Sequence, residues 1–566
     1  MVAFLALLAA GSPHQPAAKA ENRTLVIHPA VRLVVNSRGD LLFEVRAAPG
    51  DGWSQLAARF ATSPDDWQAL QTLNGGGQPV RGRYYRIPYA LLSDTYRFLG
   101  IASLFPDDRA TREGWHHRVG TARLPIEEES LYRLAFWFTG DGENFRSLLQ
   151  ANQLQDPSLH PGQEIFIPAK LLREAFRPSP TRAAPVTYGR DAQGKFASYR
   201  LRRGEALYSA VVLRFTGRVD PDEVEQVLQR IVARSRIDDV ADIPAGFSVK
   251  IPLDDLAEEF LPPTDPRRVE LEMNRLLASR YQSEVRSQDL SGITVILDPG
   301  HGGVDIGTRQ NGVWEDDTVY DIAVRLQKKL RQHTAAQVKM TLLDPSQKDQ
   351  PYDFRFRRID RDEVILTHPH HLAVDSATRA MGVNLRVFLA NSIYRAQRKK
   401  PAKDEKIIFL SIHADALHRS VRGAMVYVPG ERYRRGRYGA SGAAYRKYRE
   451  VREKPHVSFT RAQRLRSEGL SRQLARTLLK TFKQERLAIH SQKPIRDHVV
   501  RHRRSWLPAV LRGNEVPIKI LLEVANIANQ TEARLLSRPE YRDRIADALL
   551  HTLLTFYRGR DQSPVS

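Results

Sequence analysis

Cysteine is absent from all 566 positions of the chain. Its absence excludes disulfide bonds, thiolate zinc sites, cysteine nucleophiles and a lipid-modified cysteine. A zinc ion bound to this chain would therefore need histidine and carboxylate ligands, which are typical of catalytic rather than structural zinc sites.

Long apolar runs are missing as well. Beyond the N-terminus, no run reaches the roughly 18 residues of a membrane-spanning helix. The content of 42% hydrophobic and 27% charged residues is typical of a globular protein, and the length predicts three or four domains.

The first residues predict export. Met1–Ala10 is apolar and precedes a small-x-small site at Ala18-Lys19-Ala20, so residues 1–20 are predicted to be the signal peptide of a periplasmic or secreted protein. A positively charged start is missing, which leaves a late start codon or a buried N-terminal strand as alternatives.

The formal net charge of +22 predicts a polyanionic partner. Nucleic acid is the usual first candidate, but the basic residues are scattered and no helix-turn-helix, RNP-type or finger signature occurs. A wall polymer that carries carboxylates, or an anionic membrane surface, attracts the same charge. A solvated basic surface without a specific partner is the simpler alternative.

A short motif recurs through the N-terminal half. Ile87-Pro88, Ile167-Pro168 and Ile251-Pro252 each end a strand-like run that follows a turn. Upstream of the first copy lie a strand and a Pro49-Gly50-Asp51 turn, followed by helical stripes of apolar residues. This β-α-α-β order resembles the LysM peptidoglycan-binding module.

The LysM resemblance implies three small α+β repeats, at residues 40–95, 115–175 and 197–260, which bind glycans containing N-acetylglucosamine. The second copy has a longer insertion at the turn and the third has an acidic second helix, so bracing the fold is an alternative role for both. Composition predicts a Pro-rich linker at 176–196, a linker with a helix over about 267–288 within 261–290, and a disordered tail at 559–566.

From Ile293 onward, apolar strands alternate with amphipathic helices. This pattern predicts a layered α/β domain over 291–558, with a mostly parallel sheet flanked by helices. The predicted strands are 294–297, 338–342, 407–412, 424–428 and 518–522, and the predicted helices are about 316–332, 384–398, 467–484 and 538–557.

Two histidines and two glutamates lie at the ends of these elements. His301 follows the first strand, Glu315 opens a helix, and His413 and Glu523 each follow an apolar strand. Because α/β sheets bind ligands at the carboxyl ends of their strands, we expect these residues to meet. Two imidazoles and one carboxylate leave a fourth zinc position open for water, and a further carboxylate is a candidate general base.

Each of these residues has an ordinary structural interpretation when taken alone. Glu315 would complement a helix dipole, His413 would be a hydrogen-bonded histidine at a strand end, and Glu523 would form a salt bridge with an arginine. The combination favours a zinc hydrolase.

The same residues carry a family resemblance. The segments Asp298–Gly303, Arg386–Asn391, Ser411–Asp415 and Leu522–Asn529, together with Glu315, resemble the zinc-dependent N-acetylmuramoyl-L-alanine amidases of the amidase-3 type. The resemblance implies zinc on His301, Glu315 and His413, with Glu523 as the catalytic carboxylate. It also implies cleavage of the amide between N-acetylmuramic acid and L-Ala of peptidoglycan.

The chain departs from the family pattern in one motif and two insertions. Ala525-Asn526 replaces a Gly-Phe pair after the glutamate. The long segment Asp344–Val383 contains His368, His370 and His371, which we interpret as loop histidines. The basic, tyrosine-rich segment Gly430–Arg466 leads to the hypothesis that it gates the site or grips the anionic wall. A solvated loop is the alternative.

Peptidoglycan is the predicted partner, and the family resemblance implies an activator protein as a possible second partner. Two other functions stay open: a catalytically inactive wall-binding scaffold, and a zinc peptidase that acts on another bond of the stem peptide.

Overall fold

The computed structural model describes residues 23–36, 39–48, 50–111, 113–124, 129–177, 185–353, 361–398, 401–501 and 504–558. The predicted signal peptide, residues 178–184 of the predicted Pro-rich linker and the predicted tail lie outside these ranges. The described residues fall into two compact units, one within 1–183 plus 262–273 and the other within 184–261 plus 274–566. None of the helices in the described ranges has the length and apolar run needed to cross a membrane.

The first unit begins with an antiparallel sheet in the order β1-β2-β3-β4, and the helices α1 and α2 lie between β3 and β4 in the chain. The β3-α1-α2-β4 order is the one that the first repeat predicts, and the hairpin β1-β2 adds two strands to it. These elements are β1 Arg23–His28, β2 Val31–Val35, β3 Leu41–Arg46, α1 Trp53–Phe60, α2 Trp67–Leu73, β4 Tyr84–Pro88 and the following helix α3 Asp94–Leu104.

The second repeat has the same arrangement around a sheet of order β5-β6-β7. Its elements are β5 Arg109–Ala110, β6 Gly114–Arg118, α4 Leu131–Thr139, α5 Phe145–Ala151 and β7 Glu164–Pro168. An asparagine closes both repeats in the same way. Asn74 exchanges two hydrogen bonds with the backbone of Arg86, at 2.7 and 2.9 Å, and Asn152 does so with Phe166, at 2.7 and 2.8 Å. This shared lock ties the end of the second helix to the last strand.

A buried histidine anchors β6. His117 is fully buried, its Nδ1 lies 3.0 Å from Asp108 Oδ2 and its Nε2 lies 3.4 Å from Glu129 Oε2. Asp108 also accepts a hydrogen bond from Trp115 Nε1 at 2.7 Å. Burial alone would lower the pKa of His117, but the hydrogen bonds to Asp108 and Glu129 outweigh burial and raise it to about 9.

The second unit contains the third repeat, a sheet of order β10-β9-β8 covered by helices. Its elements are β8 Thr187–Asp191, β9 Gly194–Arg200, a π-type helix Tyr208–Thr216, α6 Pro221–Ser235 and β10 Ser248–Pro252. Strand β8 lies inside the region predicted as a linker. Helix α7, Pro266–Ser279, follows the repeat and ends nine residues before the predicted position 288.

A six-stranded sheet of order β14-β11-β18-β25-β19-β22 forms the centre of the C-terminal domain. All neighbouring strands are parallel except β19 and β25, so the prediction of a mostly parallel α/β sheet is confirmed. The strands are β11 Thr294–Pro299, β14 Gln337–Met340, β18 Ile407–Asp415, β19 Met425–Tyr427, β22 Ile495–Arg496 and β25 Ile518–Asn526.

Helices cover both faces of this sheet. One face packs against α8 Glu315–His333, α12 Arg461–Gln484 and α15 Pro539–Arg558, and the other packs against α9 Ser376–Gln397 and α13 Ala509–Arg512. The smaller elements are β12 Arg309–Gln310, β13 Val313–Trp314, β15 Leu342–Leu343, β16 Val364–Ile365, β17 His371–Leu372, α10 Ala443–Arg446, α11 Arg449–Glu453, β20 Arg437–Gly439, β21 His456–Ser458, β23 Val499–Arg501, β24 Arg504–Trp506 and α14 Gln530–Leu536.

Two helices begin earlier than the apolar periodicity predicts, and each starts at a capping side chain. Asp375 caps α9 by accepting a hydrogen bond from the backbone of Thr378 at 2.8 Å. Thr460 caps α12 through the backbone of Gln463 at 3.2 Å. The first turns of both helices are polar, so apolar periodicity does not predict them, whereas the capping residues indicate where the helices begin.

The raised pKa of His117 predicts how the stability of the first unit depends on pH. The protonated histidine stabilises the folded state fully below its unfolded pKa near 6.5, and this contribution, roughly 3 kcal/mol, is lost as the pH rises through 9. We expect His117→Gln to be less stable than the wild type at pH 6 and to approach it at pH 10. Pulse proteolysis in urea, read at cleavage sites within 104–118, measures the free energy of unfolding of both proteins at each pH. A difference that does not change with pH would contradict the prediction.

Candidate functional site

Strand pairing brings the predicted site residues together. His413 of β18 is paired with Glu523 of β25, and β11, which leads to His301, is the neighbour of β18 on its other side. His413 and Glu523 lie within their strands, which continue to Asp415 and Asn526, rather than at the strand ends as predicted. The three strands are parallel, so their site residues share one edge of the sheet.

The turn after β11 presents His301 to this edge. His301 has a left-handed backbone with φ of 65°, which a non-glycine residue adopts only when its surroundings hold it there. Gly300 is required in front of it, because a Cβ at that position would lie 2.3 Å from the ring of His413. The glycines of this turn therefore allow the two imidazoles to approach, with ring centres 4.9 Å apart.

Glu315 lies between the two histidines. Its Oε1 is 3.1 Å from Nε2 of His301 and 3.1 Å from Nδ1 of His413, and it accepts a hydrogen bond from the backbone of Ala414 at 3.2 Å. Its Oε2 accepts one from the backbone of Thr308 at 2.9 Å. The alternative interpretation, in which Glu315 only complements the dipole of α8, does not account for this geometry, because its carboxylate lies between both imidazoles.

A buried arginine holds the turn that carries His301. Arg386 of α9 donates to Asp298 at 2.9 Å, to the carbonyl of Pro299 at 2.5 Å and to the carbonyl of His301. Asp298 is fully buried and also accepts from Thr341 at 2.5 Å. One guanidinium thus joins the end of β11 to its turn, a role that the planar, multiply donating group suits.

The carboxylates of the site are electrostatically coupled. Burial raises the pKa of Glu523 well above its usual value, and Asp415 and Glu315 raise it further. Burial and then Glu315 raise the pKa of Asp415 to about 7, against a lowering by Arg496. Burial would also raise the pKa of Glu315, but His301 and His413 outweigh it and lower that pKa. One oxygen of Glu523, Oε2, is buried without a hydrogen-bond partner in the described structure.

The site fits a divalent transition-metal ion. The ligand atoms of His301, Glu315 and His413 all lie within 4.8 Å of one another. Zinc bonds of about 2.0–2.2 Å place two ligands of one ion a little over roughly 3 Å apart, which matches the spacing of Glu315 from both imidazoles. A cation at this point also favours the ionised forms of the nearby carboxylates.

The second nitrogen of His301 faces another carboxylate, Asp305, at 3.2 Å. Burial alone would lower the pKa of His301, but Glu315 and Asp305 outweigh burial and raise it to about 10. A carboxylate behind a ligating imidazole orients the ring. A small cleft lies beside His301 and Asp305, and its lining includes Glu363, His371 and Arg379 from the long insertion and α9.

The histidines of the long insertion belong to neither of the two clusters of potential metal ligands among the described residues. His371 lies in β17 rather than in a loop, with Nδ1 at 2.7 Å from the hydroxyl of Tyr448 and Nε2 at 2.8 Å from the carbonyl of Thr378. His368 pairs with Glu450 at 2.9 Å. A second cluster of carboxylates, Asp317, Asp344 and Glu363, was not predicted from the sequence.

The basic insertion Gly430–Arg466 is partly a packing element. Arg434 is buried, donates to the carbonyls of Arg512 and Asn514 at 2.9 and 2.6 Å, and lies 3.7 Å from the ring centre of Phe459. Tyr448 and Glu450 contact the insertion histidines described above. Exposed basic side chains are still present at 435, 437, 446, 447 and 449, so the hypothesis of wall binding stays a prediction.

Comparison with known proteins finds two matching domain families. Residues 295–554 match the family model for N-acetylmuramoyl-L-alanine amidase. Residues 126–168 match the LysM domain model, so the predictions of an amidase-type domain and a LysM domain are confirmed. The LysM match falls on the second repeat, although the first follows the sequence pattern more closely.

Among curated relatives, an uncharacterised cell wall amidase of Bacillus anthracis is 26% identical over 290 residues, which is 51% of this chain. The chain spans only 39% of the length of that relative. Solved structures similar to the amidase-type domain include Ami1 of Mycobacterium smegmatis, with 20% identity and a TM-score of 0.28 over 48% of this chain and 98% of that one. The CwlD amidase of Clostridioides difficile, solved with the GerS lipoprotein, has 16% identity and a TM-score of 0.28 over 47% and 98%.

Arg386, Asp298 and Asp415 lie within the family-like motifs of the sequence without a predicted role, and Asp305 lies outside those motifs. The position of Asp298 could have predicted a buried ion pair, because a carboxylate at the end of an apolar strand needs a buried partner. The positions of Asp305 and Asp415 gave no such indication, since their proximity to the site follows from the turn and from strand pairing.

The Arg386 network predicts that metal affinity depends on a residue that touches no ligand side chain. We expect Arg386→Lys to weaken binding of a divalent transition-metal ion about 10- to 100-fold, because one ammonium cannot reach all three acceptors. Competition with a chromophoric chelator measures the affinity. Arg379→Lys, an exposed arginine of the same helix at the neighbouring cleft, is the matched control and should bind as the wild type does. Equal affinity of both variants would contradict the role given to Arg386.

Proposed function

We propose that residues 291–558 form a zinc-dependent N-acetylmuramoyl-L-alanine amidase that hydrolyses the amide between N-acetylmuramic acid and L-Ala of peptidoglycan. The observation that carries the proposal is the convergence of His301, Glu315 and His413 beside Glu523, in a stretch of chain that matches the amidase family. The three donors are the ligand set of a catalytic zinc site with an open position.

We assign zinc to His301, Glu315 and His413. The ion supplies Lewis acidity to the site when it is bound. Asp305 orients the ring of His301, and the backbone amides of Thr308 and Ala414 orient the carboxylate of Glu315. The arrangement of the ligands thus rests on the fold of the protein rather than on the ion.

Glu523 is the proposed general base and acid. In its ionised form it takes a proton from the attacking water, and it then gives this proton to the nitrogen of L-Ala as the C–N bond breaks. The products are a carboxylate on the lactyl group and a free amine on L-Ala. The unpartnered Oε2 of Glu523 supports this role, because no donor among the described residues competes with a water or amine for this carboxylate oxygen.

The LysM match and the basic charge support attachment to the wall. A glycan-binding module on the same chain keeps the enzyme at an insoluble substrate and raises its effective concentration there. The proposed site of action is therefore the periplasm or the outside of the cell, with peptidoglycan as the partner. The proposal includes an activator protein as a possible partner. CwlD, one of the similar structures, was solved with a lipoprotein.

The decisive experiment is digestion of purified peptidoglycan in the presence of zinc, with the products read by mass spectrometry. We expect intact stem peptides that begin with free L-Ala. Glu523→Gln should lose about 10²- to 10⁴-fold in rate because it cannot accept the proton, while it keeps its zinc and its melting temperature.

Glu540→Gln, an exposed carboxylate at the start of α15, is the matched control and should digest as the wild type does. Peptides cut at another bond would point to the zinc peptidase instead. Wall binding without any release, by protein that has bound zinc, would point to the scaffold.

A further inference from the structure

The side chains of the site lie on one identifiable face of the sheet. Residues paired across neighbouring strands point to the same face. His413 and Met425 are both paired with Glu523, from opposite sides, so the three side chains share a face. This is the face that packs against α9 further along the strands.

The loop between β18 and β19 forms the rim of the site. β18 ends at Asp415 and β19 begins at Met425, both at the site edge, so residues 416–424 lie at that edge. Asn526, three residues after Glu523, holds this loop. It accepts from the backbone of Leu417 at 3.0 Å and donates to the carbonyls of His418 and Val421 at 3.0 and 2.9 Å.

This loop is also the attachment point of the third repeat. Leu417, Val421 and Met425 belong to the buried hydrophobic core of the repeat. The backbone amide of His418 donates to the carbonyl of Val219 at 2.9 Å, and its ring stacks on Tyr208 with 4.7 Å between ring centres. One apolar core therefore contains side chains from the repeat and from the rim of the site.

Polar contacts extend the attachment beyond the rim. Buried Arg496 of β22 donates to the carbonyl of Gly217 at 2.9 Å. Arg432 pairs with Glu258 at 2.5 Å, and Lys493 pairs with Glu259 at 3.1 Å. A shared core with buried polar contacts is typical of a permanent interface rather than of a module on a tether.

We propose that the third repeat is a fixed wall beside the rim loop at the catalytic edge of the sheet, and that this wall contacts the glycan strand whose stem peptide is cut. The inference rests on the proposed function, since it names the part of the substrate that meets the wall. Asn526 is the positioning residue that joins this wall to the strand of Glu523.

The exposed chemistry of the wall suits a glycan. Glu225 is exposed and accepts from the hydroxyl of Tyr208 at 2.6 Å, next to the stacked ring of His418. Arg419 is exposed on the rim loop beside them. Carboxylate, guanidinium and aromatic groups together can hydrogen-bond and stack on sugar rings.

The first test asks whether the wall is fixed, and it needs no activity. Hydrogen exchange of the full chain should show the amides of β9, β10 and the rim loop opening in one cooperative event. Separate and easier opening of the repeat would overturn the fixed wall. Because this result does not depend on turnover, it stands even if the proposed function fails.

The second test asks whether substrate meets the wall, and it uses the absence of cysteine. Glu225→Cys and the control Ala192→Cys, in the exposed β8-β9 turn, are each labelled with a bulky maleimide in the full-length protein. Rates are compared before and after labelling, on intact sacculi and on a soluble disaccharide-peptide.

We expect the label at position 225 to slow hydrolysis of sacculi about tenfold and to spare the soluble substrate, whereas the label at 192 changes neither rate. A general disturbance of the fold would slow both substrates. Unchanged digestion of sacculi after labelling at 225 would overturn the contact with the glycan strand. Failure of the unlabelled protein on both substrates would instead count against the proposed function.

Discussion

The pairing of β18 with β25 is the constraint on which the site depends. It places His413 opposite Glu523, and both strands lie in the interior of the sheet, where hydrogen bonds on either side fix the register. A shift by one residue would send both side chains to the opposite face, into the packing of α8 and α12. The antiparallel strand β19 pairs with the same β25, so the rim loop inherits its position from that register as well.

Buried charge within this framework is balanced at one place and left unbalanced at another. Asp298 and Arg386 neutralise each other beneath the turn of His301, whereas burial and the neighbouring carboxylate of Glu315 raise the pKa values of Glu523 and Asp415 at the edge of the sheet. The first arrangement stabilises the turn, because the charge pair is satisfied by several hydrogen bonds. The second stores electrostatic repulsion that a cation relieves.

Much of the domain could be predicted from the sequence because its strands are apolar on both faces and its helices are periodic. The proximity of the four candidate site residues could be predicted for the same reason, since each follows an apolar run of the sequence or opens a periodic helix. Arg386 and Asn526 could not be assigned a role, because their partners are backbone carbonyls and amides that only the tertiary fold brings near. The early starts of α9 and α12 were missed because polar first turns carry no periodicity. The attachment of the third repeat left no local signal, since Leu417, Val421 and Met425 are ordinary apolar residues.

That attachment has a consequence for the order in which the chain can fold. Leu261, the last residue that the repeat itself gives to its core, and Leu417, the first that the rim loop gives, are separated by 156 positions (261 to 417). During synthesis the repeat emerges first, with part of its apolar core uncovered until β18 and its loop have followed. Contacts of such long sequence separation form slowly, and the apolar surface that is exposed in the meantime is prone to associate with other chains. The repeat and the sheet are therefore expected to reach their native state in a single late step.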